Sequence, residues 1–123
     1  MIRGQVNAAK QAVIPLQLRG SERQAISIEA VVDTGFDGLL TLPPDLVARL
    51  ELPFGMTRSY ELGDGGKVAF DIHRTTVLWD GQERDVEAIV TNGGALVGMA
   101  MLRGYHLFVD VVDGGEVLIE ARP

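Results

Sequence analysis

Along most of this chain apolar and polar residues alternate with a period of two, in short runs separated by glycine-rich turns. Such alternation marks half-buried β-strands, with one face to a core and one to water. The clearest run is Gln24 to Asp33, where Ile26, Ile28, Ala30 and Val32 fall on one side and Ser27 and Glu29 on the other. Ala12 to Arg19 reads as a second strand, ended by Gly20-Ser21, and Met1 to Val6 as a weaker first one. Leu39 to Leu42 is a short strand entered from a loop with two glycines. Thr57 to Leu62 and Lys67 to Leu78 flank Gly63-Asp64-Gly65-Gly66 and predict a hairpin. Asp80-Gly81 is a strong two-residue hairpin signal and leads into a strand from Glu83 to Thr91. After Asn92-Gly93-Gly94 comes a short apolar strand, Ala95 to Gly98, and a last hairpin joins Tyr105–Val112 to Glu116–Ala121 around Asp113-Gly114-Gly115.

Only two segments read as helical. Pro43-Pro44-Asp45 opens one, since proline's missing N–H costs nothing in a first turn. Leu46, Val47 and Leu50 give it an apolar face, and Pro53 is expected to end it. Met99 to Arg103 predicts one or two further turns, stopped by Gly104. With no strand–helix–strand repeat, linker or low-complexity tract, residues 1–123 are expected to form one mainly β domain, a curled antiparallel sheet or barrel.

Composition narrows the function more than the fold. There is no cysteine, which removes thiol catalysis and cysteine zinc sites and fits a cytoplasmic protein. The net charge is −6 and the eleven Lys and Arg residues form no run, so no nucleic-acid partner is expected. The first twenty residues are broken by Arg3, Lys10 and Arg19, so no signal peptide is expected, and no apolar stretch is long enough for a membrane span. His73 and His106 lie on separate strands without ligand-spaced partners, so neither a metal nor another cofactor is expected.

The strongest candidate chemistry is Asp33-Thr34-Gly35, which follows Val31-Val32 at the end of the best strand. A rigid apolar element would there aim a carboxylate into a turn, with Gly35 permitting close backbone approach and Thr34 able to donate its hydroxyl locally. Asp33 could equally be a turn-initiating residue. The tripeptide arises by chance in a chain of this length on the order of a few per cent of the time, so it does not decide the matter alone.

A second segment adds weight: Leu96-Val97-Gly98, two apolar residues and a glycine, precedes the Met99 helix. Together with Val31-Val32-Asp33-Thr34-Gly35 it resembles the retropepsin-like, or retroviral-type, aspartic proteases of clan AA. Asp33-Thr34-Gly35-Phe36-Asp37-Gly38, Leu42-Pro43, Trp79-Asp80-Gly81 and Gly98-Met99 through Gly104 are similar to a bacterial and archaeal single-domain branch with an Asp-Thr-Gly-Phe motif.

The resemblance implies a single-domain, homodimeric closed barrel of short antiparallel strands with one or two short helices. It implies an aspartic-type endopeptidase in which Asp33, Thr34 and Gly35 of each chain form the catalytic loop. Phe36, Asp37 and Gly38, with Leu96, Val97 and Gly98, would line a cleft for a peptide or protein substrate. Leu62, Gly63, Asp64, Gly65 and Gly66 would be a mobile flap, although the same residues also read as an ordinary exposed turn. Only one Asp-Thr-Gly is present, and Asp110 lacks a following Thr-Gly, so a pair of carboxylates requires a twofold dimer. Contacts are expected near the active-site loops and through terminal strands such as Glu116 to Ala121. Two features depart from the retroviral pattern. Phe36 replaces a small residue, and Met99 stands where an arginine would brace Asp37, leaving Asp37 either a substrate contact or a turn residue. A non-catalytic dimer of the same fold that binds a peptide or partner protein is the competing reading.

Overall fold

Turn chemistry sets the frame of the molecule. In the computed structural model, which describes residues 1–123, Asp80 and Gly81 have φ of 51° and 81°. A two-residue turn of that hand matches the twist of its strands, and it joins β6 (Lys67–Trp79) to β7 (Gln82–Val90). The remaining strands are β1 (Ile2–Val6), β2 (Ala12–Arg19), β3 (Ala25–Val32), β4 (Leu40–Leu42), β5 (Phe54–Glu61), β8 (Leu96–Val97), β9 (Tyr105–Val109) and β10 (Glu116–Ala121). Two short helices are interspersed, α1 (Pro44–Arg49) and α2 (Met99–Leu102). Neither is long and apolar enough to cross a membrane.

All ten strands belong to one sheet in the order β5-β6-β7-β4-β8-β3-β2-β1-β10-β9. An additional antiparallel pairing of β6 with β2, centred on Leu18 and Val77, joins the two ends of a six-strand run into a ring. The expectation of a wholly antiparallel arrangement needs correction. β3 pairs with β8 in parallel, as does β4 with β7. The chain leaves β3, makes β4 and the β5–β6 hairpin elsewhere, and returns β8 between β3 and β4, so β8 runs with one neighbour and against the other. β10 is hydrogen-bonded to β1 on one side and β9 on the other, so its backbone is paired along both edges within the chain. The open edges are β5 and β9.

The inside of the ring is filled by the apolar half of each alternating strand. Ile14, Leu18, Leu40, Leu42, Val77, Trp79, Val97, Val117 and Ile119 are wholly buried there. Each such side chain contributes roughly 1.5–3 kcal/mol of transfer free energy. Helix α1 closes one side with Leu46, Val47 and Leu50. It ends earlier than Pro53: Leu50 caps it and Glu51 takes a left-handed conformation, φ 51°, which an α-helix cannot continue. The strand beginning at Tyr105 also stops sooner than expected, at Val109, because Val112 N–H turns back to the Asp110 carbonyl and leaves Val111 and Val112 exposed.

Candidate active site

Asp33 owes its position to β8. The Val31 N–H donates to the Ala95 carbonyl and the Asp33 N–H to the Val97 carbonyl, both at 2.9 Å, so the parallel ladder runs on to the aspartate. Its carboxylate is half-buried, and Oδ1 accepts the Gly35 N–H at 2.9 Å. The carboxylate is therefore held by backbone and not by Thr34, whose hydroxyl makes no hydrogen bond within the chain and is exposed, contrary to the local donation expected of it. A side chain at Gly35 would stand 3.2 Å from Asp33 Oδ1, which explains why a glycine suits this turn.

The next residues tie the loop to the start of α2. Met99 N–H donates to the Phe36 carbonyl at 2.8 Å, Ala100 N–H to the Gly38 carbonyl at 3.1 Å, and Gly98 N–H to the Leu39 carbonyl at 3.0 Å. Phe36 lies half-buried across this junction. Its ring fills the space that side chains at Gly38 and Gly98 would need, with atoms 2.5 and 2.6 Å from where those Cβ atoms would be. The ring thus packs inside the loop. Asp37 is exposed and takes part in none of the chain's ion pairs; Met99 is also exposed.

Strand register reveals a surface that the sequence did not. Val31 pairs with Leu96, Leu96 with Thr41, Thr41 with Ile89, Ile89 with Ile72 and Ile72 with Met56. Directly paired residues share a face, so these six form a row from β3 to β5 on the side opposite the core residues Val32, Val97, Leu40 and Ala88. Asp33, two residues past Val31, is on the same face. Thr41 is buried within the row, and its Oγ1 accepts the Leu96 N–H at 2.9 Å, a side-chain rung between β4 and β8. Ile72 is buried yet outside the main core cluster. One signal could have found this surface. Within β6 the apolar residues switch from Val68, Phe70 and Ile72 to Val77 and Trp79, from one side of the strand to the other.

The β5–β6 hairpin extends that row outward. Met56, Arg58 and Tyr60 face the same way as Ile72, Phe70 and Val68, whereas Thr57, Ser59, Glu61, Lys67, Ala69 and Asp71 face away. One face is mostly apolar and the other mostly polar. Its tip, Leu62 to Gly66, is exposed throughout and closed by Leu62 N–H to the Gly66 carbonyl and Gly66 N–H to Asp64 Oδ1, at 2.7 and 2.8 Å. A polar concavity of about 350 Å³ among Arg19, Arg23, Arg74 and Asp85 lies by the start of β3, at the opposite end from Asp33.

The overall fold is shared with a solved structure, a retropepsin-like aspartic protease from Rickettsia conorii, at a TM-score of 0.60 over 98% of this chain and 90% of that one. The chain has the retropepsin-like fold. Sequence identity to that protein is 17%. No protein-family model matches the sequence, and no curated protein matches it.

Within the retropepsin-like fold, Asp33, Thr34, Gly35, Phe36 and Gly38 are brought against Val97 and Gly98 by the bonds above. Leu96 faces out on the row and is half-buried, while Val97 points into the core and has no exposed surface. Asp110 stands apart, exposed at the end of β9, and supplies no second carboxylate beside Asp33.

Proposed function

We propose that this chain is an aspartic-type endopeptidase acting as a homodimer, with Asp33 of each chain at the twofold axis. The observation that carries the reading is the setting of Asp33: a half-buried carboxylate fixed by the β3–β8 ladder, in a loop whose Thr34 and Gly35 are exposed, with one such carboxylate per chain. Peptide hydrolysis needs a base to activate water and an acid to protonate the departing amine. Two carboxylates sharing one proton provide both. At about 3 Å, two full charges would repel by roughly 5 kcal/mol at an effective dielectric near 20, so the pair keeps one proton. The exposed Thr34 hydroxyl and Met99 side chain beside the loop are groups that a second chain could cover. Val31, Leu96, Thr41, Ile89 and Ile72 would form the cleft wall, Phe36 would brace the loop, and the Leu62–Gly66 tip would close over the peptide.

The test is hydrolysis of a peptide library by wild type and Asp33→Asn. The substitution is nearly isosteric, so the fold is expected to persist while turnover falls by about 10²–10⁴-fold. Equal turnover in the two proteins would refute the assignment. Met99, standing where a bracing arginine would be, favours a second reading: a non-catalytic dimer that binds peptides. That reading predicts peptide affinity without cleavage.

A further inference from the structure

On the cleft-side face of the β5–β6 hairpin, five of the six residues are uncharged: Met56, Tyr60, Val68, Phe70 and Ile72. The sixth is Arg58. Its Nη2 lies 3.4 Å from Glu87 Oε2 and 3.3 Å from Met56 Sδ, and both side chains of the ion pair are close to half-exposed. Glu87 shares this face, because it pairs with Arg74, an even number of residues along β6 from Ile72. An arginine and a carboxylate that satisfy each other meet through two parallel hydrogen bonds. Here the contact is single and long, and the remainder of the guanidinium fork is not closed on Glu87. A hydrogen bond to Tyr60, and to a lesser extent Glu87, holds the Arg58 pKa above its ordinary value, and an arginine is charged at any working pH.

We infer that Arg58 is a specificity-determining residue which makes the cleft select peptides carrying a glutamate or aspartate side chain at one position beside the scissile bond. An apolar arm gives shape without charge preference. One exposed cation on that arm, held by a single long contact to Glu87 with part of its guanidinium fork left open, gives a directional preference for a planar carboxylate. This inference rests on the protease reading for the scissile bond, but the affinity it predicts does not require cleavage.

The experiment measures binding and cleavage separately, using peptides that differ only by Glu, Gln or Lys at each position in turn. Wild type is expected to favour Glu over Gln by about tenfold at one position, the discrimination that one charge-assisted hydrogen bond supplies. Arg58→Gln is expected to reduce that ratio to near one, Arg58→Lys to retain part of it, and Arg58→Glu to transfer the preference to Lys. The decisive readout is the ratio between peptides, which general destabilisation does not move. A Glu preference that survives in Arg58→Gln, or no position at which Glu is preferred, overturns the inference. If wild type binds Glu peptides selectively but cleaves none, the protease reading fails and the assignment of Arg58 stands.

Discussion

The Phe36 ring occupies the space that a side chain at Gly98 would need: a methyl group there would stand 2.6 Å from Phe36 Cδ2 and 2.8 Å from the Phe36 carbonyl oxygen, besides striking the Gly38 carbonyl. A methyl at Gly38 would meet the ring alone, with Cζ at 2.5 Å and Cε1 at 2.7 Å. The two glycines therefore answer to different constraints. Gly98 is required by backbone as well as by the ring, and Gly38 by the ring only.

A double-mutant cycle separates them. Gly98→Ala and Gly38→Ala are each expected to destabilise by about 1–3 kcal/mol, the usual cost of forcing atoms into a packed site. Adding Phe36→Ala should relieve Gly38→Ala, leaving the double mutant close to Phe36→Ala alone. It should not relieve Gly98→Ala, because the Gly38 carbonyl remains in the way. Denaturant unfolding of the six proteins reads the coupling. Equal rescue at both glycines would mean that the loop backbone yields and the ring is the only obstacle.

Thr41 supports the aspartate at one remove. It holds the Leu96 N–H, and β8 in turn holds the Asp33 N–H through Val97. Thr41→Val keeps the shape and removes the acceptor, leaving a backbone donor without a partner, at a cost of about 1–3 kcal/mol. Thr41→Ser keeps the oxygen and should cost less. Hydrogen exchange at the Leu96 amide should accelerate in the valine variant and not in the serine one. A valine variant as stable as wild type would show that water or a neighbouring carbonyl replaces the hydroxyl.

How much of this was legible in the sequence depends on distance along the chain. Alternation is local, and it placed Ala12–Arg19 and Glu116–Ala121 at their observed bounds. It also assigned the inward side of Ile26, Ile28, Ala30 and Val32. Pairing between remote strands is not local. Nothing within Leu40–Leu42 states that it runs parallel to β7, or that Thr41 lies beside Ile89. The juxtaposition of Asp33 with Val97 and Gly98 was visible through resemblance, since the two motifs travel together. The row from Val31 to Met56 was missed because Ile72 and Ile89 resemble ordinary core residues until the register separates the two faces of β6. Phe36 could not be placed from sequence, because the room for its ring comes from glycines on two different segments.

Trp79 tests a different kind of expectation. It is 1% exposed, its Nε1 has no hydrogen-bond partner, and Tyr105 meets it edge-to-face at 5.8 Å. Trp79→Phe removes a buried donor that gains nothing, while opening a small void. The two effects oppose each other, so a net cost of about 1 kcal/mol is expected, well under the 3–5 kcal/mol typical of truncating a buried aromatic to alanine. Thermal and denaturant unfolding would measure it. A cost above about 3 kcal/mol would indicate that Nε1 is satisfied, for instance by a buried water.

The proposed dimer makes a prediction that a structural role for Asp33 does not share. If two Asp33 carboxylates face each other across a twofold axis, association must either bring their charges together or take up the proton they share, a cost that Asp33→Asn removes while keeping the size of the side chain. One acceptor oxygen remains, so the Gly35 N–H bond that shapes the loop in each chain can persist. The variant dimer should then be at least as tight as wild type at neutral pH. The difference should shrink as added acid supplies the pair with protons, because the wild-type repulsion disappears and the asparagine protein has no charge there to lose. Sedimentation equilibrium of both proteins across pH measures the dissociation constants directly. A variant that dimerises much more weakly than wild type at every pH, including acid where both wild-type carboxyls hold protons, would mean that Asp33 is a structural hydrogen-bonding residue, and the shared-proton pair would have to be abandoned. A wild type that stays monomeric at high concentration would remove the dimer itself, and with it the only source of a second carboxylate that this chain possesses.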